Sequence, residues 1–238
     1  MPVNHIFIYL SAHYLPMKKR KSLKKPQIKA IIFDIGGVLE LNTTPLVKRG
    51  KGVFRHKGVH EYVSQKLGIS LDQYFDSIDT YYTKSMEGQI SEEKTLQNIA
   101  QNLKISQRKT KRLFKRAYAK NFQTNKELYK EAFKLKKKGY KIAILSDQWY
   151  LSKHTHLKPK YTKKFDTVVV SCDVGIRKPN PKIYRLTLKK LKVRPKEAIF
   201  VDNQLWNIKP AKKLGIKTIL FKNNNQCLKE LKKLGVEI

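Results

Sequence analysis

Ile31-Ile32-Phe33-Asp34-Ile35-Gly36-Gly37-Val38-Leu39 is the segment from which the architecture of this chain is most directly read. An apolar run ends on an aspartate, breaks at two glycines and resumes as a second apolar run. A short apolar run bounded by turn residues reads as a strand buried on both faces of a parallel sheet. Open α/β sheets bind their ligands just beyond the carboxyl ends of the strands. Asp34 is therefore read as a carboxylate at that edge, beside a glycine turn that lets a substrate approach the backbone. Taken alone, the stretch also fits an aspartate capping an ordinary strand-to-loop turn.

Working outward, strand-like runs recur at Ala30–Phe33, Lys141–Leu145, Thr167–Ser171, Ala198–Val201 and Lys217–Phe221, with helical stretches between the later ones. This order predicts an α/β fold with a parallel, Rossmann-like sheet flanked by helices. Thr124-Asn125-Lys126-Glu127 reads as a capping box, opening a helix that buries Leu128, Ala132 and Leu135 and stops at Gly139. Asn180-Pro181 sets a cap and a first-turn proline before Ile183, Tyr184, Thr187, Leu188 and Leu191. Leu205, Ile208, Ala211 and Leu214 form the next stripe, ended by Gly215.

Between the first two sheet strands lie about a hundred residues, far more than one crossover needs. Four amphipathic stripes fall there: Val59 to Leu67, Leu71 to Tyr82 after the cap Ser70, Leu96 to Leu103 after Ser91, and Leu113 to Tyr118 after Ser106. Residues 42–123 are expected to form a helical insertion over the carboxyl edge of the sheet. Residues 29–41 and 124–238 would then form the core, with 1–28 a basic, disordered N-terminal extension.

The chain has 238 residues, 40% of them hydrophobic, which suffices for one large or two modest domains. Two cysteines, Cys172 and Cys227, supply neither a disulfide framework nor metal-ligand spacing, as expected of a cytoplasmic protein. No stretch approaches the roughly 18 apolar residues of a membrane span. Ile6-Phe7-Ile8-Tyr9-Leu10 has no preceding positive charge and no small-residue cleavage site, so it does not read as a signal peptide; Met17 offers an alternative start. The formal net charge is +34, from 52 Lys and Arg against 18 Asp and Glu. Lysines number 43, spread along every segment, against 9 arginines, the type that makes bidentate phosphate and base contacts. The charge is accordingly read as compositional and solvated. Non-specific polyanion binding in dilute salt is expected, and specific nucleic-acid recognition is not.

The chemistry-bearing residues recur at strand ends. Ile144-Leu145-Ser146-Asp147 brings a hydroxyl to the same edge as Asp34. Asp173-Val174-Gly175-Ile176-Arg177-Lys178-Pro179-Asn180-Pro181 sets Lys178 before a proline-fixed helix start. Ala198-Ile199-Phe200-Val201 ends at Asp202-Asn203, with Asn207 one turn later. Each piece alone reads as a turn residue or a solvated lysine; their order carries the weight. A carboxylate, a hydroxyl, a lysine and a second acidic pair at one edge suit phosphoryl transfer to aspartate. Asp34 would attack phosphorus, Ser146 and Lys178 would hold equatorial oxygens, and Mg²⁺ would neutralise the rest.

In this order and spacing, the four segments resemble the haloacid dehalogenase-like hydrolase superfamily over residues 29 to 222. Phe200-Val201-Asp202-Asn203 through Asn207-Ile208-Lys209-Pro210-Ala211 to Leu214-Gly215 is similar to the phosphatase branch related to the N-terminal domain of soluble epoxide hydrolase. The resemblance implies hydrolysis of a small phosphorylated metabolite through an aspartyl-phosphate, with the insertion as a cap domain. It implies catalytic roles for Asp34, Ser146 and Lys178, and phosphate binding by Ser146, Asp147, Lys178 and Gly37. Mg²⁺ would sit at Asp34, Gly36, Asp202 and Asn203.

Two positions depart from the family pattern. Gly36 stands where a second aspartate usually serves as general acid and base, help worth typically 10² to 10⁴ in rate. Slow turnover or a low-pKa leaving group is the expectation, with Asp147 or a residue of the insertion as a substitute acid. Asn203 stands where a metal-ligating aspartate is common; the lost charge predicts weak Mg²⁺ affinity. Two other readings follow from these departures. One is a binding or regulatory module on a weakened hydrolase. The other is a metal-free 2-haloacid dehalogenase, for which Trp206 superficially fits and Arg49 and Arg55 are the nearby arginines. Tyr81, Tyr82 and Lys84, near Gly88, are candidates for facing the site from the insertion.

Overall fold

Ala30–Phe33 is a strand, β1, whose four side chains are all buried. In this computed structural model, which describes residues 27–44, 46–49, 53–56 and 58–238, β1 is the middle strand of a five-stranded sheet. There follow in chain order β2 (Glu40–Asn42), β3 (Leu46–Arg49), β4 (Val53–His56), α1 (Val59–Leu67), α2 (Leu71–Met86), α3 (Glu92–Asn102), α4 (Gln107–Asn121) and β5 (Phe122–Thr124). Then come α5 (Lys126–Lys137), β6 (Lys141–Ser146), α6 (Tyr150–His156), α7 (Pro159–Thr162), β7 (Thr167–Val170) and α8 (Ser171–Val174). The chain ends with α9 (Pro181–Leu191), β8 (Ala198–Asp202), α10 (Leu205–Lys213), β9 (Lys217–Leu220) and α11 (Asn224–Lys233).

The sheet order is β7-β6-β1-β8-β9, and every pairing is parallel. Alternate side chains explain why these strands read as unbroken apolar runs: both faces are covered. Ile31, Phe33, Ile144 and Val201 pack under α5 and α11 with Leu128, Leu135 and Leu231. Ala30, Ile32, Leu145 and Phe200 pack on the other face with Ile183, Leu188, Ile208 and Ala211 of α9 and α10. Phe33 lies level with Ile144 and Val201. The chain therefore leaves β1, β6 and β8 within two residues of one row, at Asp34, Ser146 and Asp202.

The insert after β2 is built on helices α1–α4, which surround Val63, Tyr74, Ile78, Ile99 and Phe114. Ser70, Ser91 and Ser106 cap α2, α3 and α4, each Oγ accepting from the backbone N–H three residues on, at 3.1, 3.1 and 3.3 Å. The insert core also takes in Trp149 and Leu151, which belong to the segment after β6, so the insert is seated on the sheet edge by apolar contact. Its two chain crossings run side by side as an antiparallel ribbon, Glu40↔Thr124, Leu41↔Gln123 and Asn42↔Phe122.

Two local details differ from the sequence expectation. The cap of α5 is Asn125, whose side chain accepts from Leu128 N–H at 3.2 Å. Thr124 is drawn into the ribbon instead, and its hydroxyl donates to the Glu40 carboxylate at 3.0 Å. An antiparallel pair, β3 with β4, precedes the insert helices, where helical periodicity gave no sign of strands. The N-terminal extension up to residue 26 lies outside the described residues. Ile28 is buried in the sheet core. Among the described residues, no helix is long and apolar enough to cross a membrane.

Candidate active site

Lys178 organises the carboxyl edge of the sheet. Its Nζ lies 3.0 Å from Asp34 Oδ1 and 2.7 Å from Asp202 Oδ2, with all three residues buried. One ammonium thus bridges two carboxylates out of water. Burial of a charge is tolerable only with such pairing. Asp147 Oδ1 accepts from the Lys178 backbone N–H at 3.0 Å, which ties the loop carrying the lysine to the end of β6. The cap of α9 fixes the other side of that loop, Asn180 accepting from Lys182 N–H at 3.0 Å.

Each carboxylate is held by backbone donors as well. Asp34 Oδ1 accepts from Ile35 N–H at 2.7 Å. Asp202 Oδ1 accepts from Gln204 N–H at 2.7 Å, and the Asn207 amide donates to the same carboxylate at 3.1 Å. Burial pushes the Asp34 carboxyl up to about 7, against the pull of the Lys178 ammonium and with the Asp202 charge adding to the rise. Burial likewise raises Asp147, again against Lys178. Burial opposes the charge on Lys178, but Asp34, Asp202 and Asp147 outweigh it and hold the ammonium above its ordinary value.

Ser146 is buried, and its Oγ accepts a hydrogen bond from Gln148 Nε2 at 2.9 Å. With that lone pair engaged, the hydroxyl proton is free to point at a substrate oxygen. Gln148 is itself clamped. Its Oε1 accepts from Ser152 Oγ at 2.6 Å and lies 3.1 Å from His156 Nδ1, and its backbone N–H donates to Ser171 Oγ at 3.0 Å. An acceptor at Oε1 makes His156 Nδ1 the protonated nitrogen. Burial pushes the His156 imidazole down to about 3, with the Lys158 charge adding to the fall, so the ring is neutral.

The glycine loop completes the edge. Gly37 has φ +79°, and a Cβ there would collide with the Asn203 side-chain amide. Gly36 differs: a Cβ would meet nothing within 4 Å, and its φ lies outside the left-handed region. Between this edge and the insert lies a cavity of about 280 Å³, lined by Gly36, Asp147 and Gln148 below and by Tyr82, Met86 and Tyr118 above. Trp149 closes one side, its Nε1–H donating to Tyr118 Oη at 2.6 Å.

The donor set fits a hard cation. Asp34 and Asp202 offer carboxylate oxygens, and Asn203 Oδ1 is buried with no hydrogen-bond partner, as a ligating amide oxygen would be without its ion. Among the described residues, no three His, Cys, Asp or Glu side chains cluster as a metal cage. Carboxylate and carbonyl oxygens suit Mg²⁺.

The sequence-predicted residues Asp34, Ser146, Asp147, Lys178, Gly36, Gly37, Asp202 and Asn203 therefore converge on one edge. Of the insertion candidates, Tyr82 lines the cavity, Tyr81 packs against the insert core and Lys84 is exposed. Trp206 is 60% exposed on α10 and does not line the cavity. The side chains of Arg49 and Arg55 lie outside the described residues. Sequence reasoning missed Gln148, His156 and Tyr118. The position of Gln148, two residues after Ser146, was the only available signal.

Comparison with known proteins agrees with this geometry. The model of the haloacid dehalogenase-like hydrolases matches residues 28–215. Bifunctional epoxide hydrolase 2 of Sus scrofa is 37% identical over 110 residues, 44% of this chain but only 20% of that protein. Glyceraldehyde 3-phosphate phosphatase of Pyrococcus furiosus is 38% identical over 95 residues, 37% of this chain and 38% of that protein. Among solved structures, a haloacid dehalogenase family enzyme of Bacteroides thetaiotaomicron, in complex with magnesium and inorganic phosphate, superposes with a TM-score of 0.63. It is 20% identical, and the match covers 82% of this chain and 94% of that one.

Proposed function

This chain belongs to the haloacid dehalogenase-like hydrolase family, and from that membership we propose that it is a Mg²⁺-dependent phosphatase of a small phosphorylated metabolite. The observation that carries the reading is the Lys178 ammonium shared between Asp34 and Asp202, beside the Ser146 hydroxyl. A relative solved with magnesium and phosphate and another named as a glyceraldehyde 3-phosphate phosphatase support it.

The roles follow from chemistry. An Asp34 carboxylate oxygen attacks phosphorus, forming an O–P bond as the ester oxygen departs. Ser146 O–H and the Lys178 ammonium hold the non-bridging oxygens, whose charge they stabilise in a water-poor site. Water then attacks phosphorus, releasing inorganic phosphate and restoring the carboxylate. Bound Mg²⁺, held by Asp34, Asp202, Asn203 and the Gly36 carbonyl, would neutralise phosphoryl charge. Gly36 supplies no proton to the leaving oxygen, so the reading carries a preference for esters whose alcohol leaves without one.

The test is hydrolysis of p-nitrophenyl phosphate with and without Mg²⁺, on wild type and Asp34→Asn. Metal-dependent turnover abolished by the substitution is expected. A folded wild type with no turnover on this ester would remove the phosphatase reading.

A further inference from the structure

Arginine is scarce in this chain, yet three of the nine arginines lie within α4, at Arg108, Arg112 and Arg116. Seven of the fifteen residues of α4 are Lys or Arg and none is acidic. The helix buries Phe114, Ala117 and Tyr118 against the insert core, which turns its cations to the outer face, where they are exposed. There α4 packs beside α1 and the two helices enclose a groove of about 360 Å³. Lys109, Arg112 and Arg116 line it from α4, and Tyr62 and Lys66 from α1. Lys66 Nζ and Lys120 Nζ stand 6.0 and 5.6 Å from the Tyr62 ring centroid. Among the described residues, no acid pairs with any of the four cations lining this groove.

Three features select the occupant. Cations repeating with each helical turn, about 5.4 Å apart, suit a chain of phosphates rather than a single small anion. Guanidinium groups bind phosphate oxygens in pairs, which a lysine cannot do. A half-exposed tyrosine ring among cations offers a stacking face, which only an unpaired base can use. A second basic hollow, at α5, shares the turn-by-turn repeat through Lys126, Lys130, Lys134 and Lys137 but has neither the guanidinium groups nor an unstacked tyrosine ring. Its cations are all lysines, one is paired with Glu131 at 2.8 Å, and its Tyr129 and Tyr161 rings are stacked on each other at 4.3 Å.

We propose that the α1/α4 groove binds single-stranded nucleic acid, its phosphates on Lys66, Lys109, Arg112 and Arg116 and a base on Tyr62. The groove lies on the outer face of the insert, and the inference is independent of the phosphatase reading. It replaces diffuse attraction by the overall charge with a localised site.

The test is fluorescence anisotropy of the full chain with a labelled twelve-nucleotide RNA at several salt concentrations, with inorganic polyphosphate as a base-free competitor. Arg112→Glu/Arg116→Glu is compared with Lys130→Glu/Lys137→Glu, which makes the same charge change at α5. The α4 pair is expected to weaken RNA binding at least tenfold and to reduce the log–log salt slope by about 1.4, for two lost contacts at about 0.7 each. The α5 pair is expected to change affinity less than threefold. Tyr62→Leu is expected to weaken RNA binding about five- to a hundredfold and leave polyphosphate competition unchanged. Equal losses from the two charge pairs would show delocalised attraction and overturn the proposal. So would tighter binding of the matching duplex, or a Tyr62→Leu effect as large on polyphosphate as on RNA. All substituted cations are exposed, and thermal melting verifies that the variants fold.

Discussion

Gly36→Asp installs an acid where the loop has room for one. A Cβ at Gly36 meets nothing within 4 Å, and the residue already adopts a backbone conformation open to any side chain. Gly36 lines the cavity together with Asp147, so the new carboxyl enters the space where an ester oxygen would depart. The neighbouring buried carboxylates Asp34 and Asp202 raise its pKa, as a general acid near neutral pH requires. General acid catalysis is worth about 10² to 10⁴ in rate, or about 2.7 to 5.4 kcal/mol at 1.36 kcal/mol per tenfold. The assay is kcat/KM on two esters, p-nitrophenyl phosphate and glycerol 2-phosphate, for wild type and variant. Nitrophenolate leaves without a proton, so its rate should change about threefold at most, while the alkyl ester should gain about a hundredfold or more. Gly37→Asp is the control: it meets the Asn203 amide at a left-handed φ and should lose activity on both esters. Equal gains on the two esters, or none in a folded Gly36→Asp protein, would refute the argument that the missing acid limits alkyl esters.

Three further outcomes are expected. Lys178→Met leaves Asp34 and Asp202 buried beside each other without their cation, which should cost about 3–5 kcal/mol in urea unfolding. Millimolar Mg²⁺ should recover part of that loss if these carboxylates hold the ion, and a melting curve unmoved by Mg²⁺ would count against the donor set. Gln148→Leu strips the hydrogen bond from Ser146 Oγ and the acceptor from Ser152 and His156. It should destabilise by about 1–3 kcal/mol and lower kcat more than it raises KM, whereas unchanged kinetics would mean that Ser146 needs no orientation. His156 is depressed from 6.5 to about 3, so the unfolded chain takes up its proton first as pH falls. Its neutral-state contribution is intact above about pH 6.5 and is lost on acidification, at up to about 1.4 kcal/mol per pH unit, until about pH 3. The opposite slope from Asp34 is present in both proteins, so the difference between wild-type and His156→Gln stability curves isolates the histidine; parallel curves would contradict its burial as a neutral ring.

The sheet and the four ordered segments were legible because they depend on local signals. Buried parallel strands leave apolar runs, and the residues that end them must break those runs, as Asp34, Ser146 and Asp202 do. Serines before helices announced three of the insert helices correctly, because an N-cap is decided within four residues. Thr124 misled because a ribbon partner far along the chain, Glu40, claimed its hydroxyl. Gln148, His156 and Tyr118 were invisible for a related reason. Gln148 stands next to Ser146 in the chain, but what clamps it, Ser152, His156 and Ser171, and what Tyr118 meets, Trp149, come from elements that only the fold brings together. The basic groove was missed because a count of lysines over the whole chain hides an arginine row confined to one helix.

The ribbon of β2 and β5 makes the insert a replaceable part. Its departing and returning strands are paired neighbours, about 4.8 Å apart, so a turn of about two residues joining Asn42 to Phe122 would close the sheet domain without it. Excision would bare Trp149 and Leu151, which rest against the insert core, and these would have to become polar for the remainder to stay dispersed. Within that condition, the edge now roofed by the insert would lie open, on the proposed phosphatase reading to larger phosphorylated surfaces, and foreign inserts could be spliced onto the same two strands to change what it accepts.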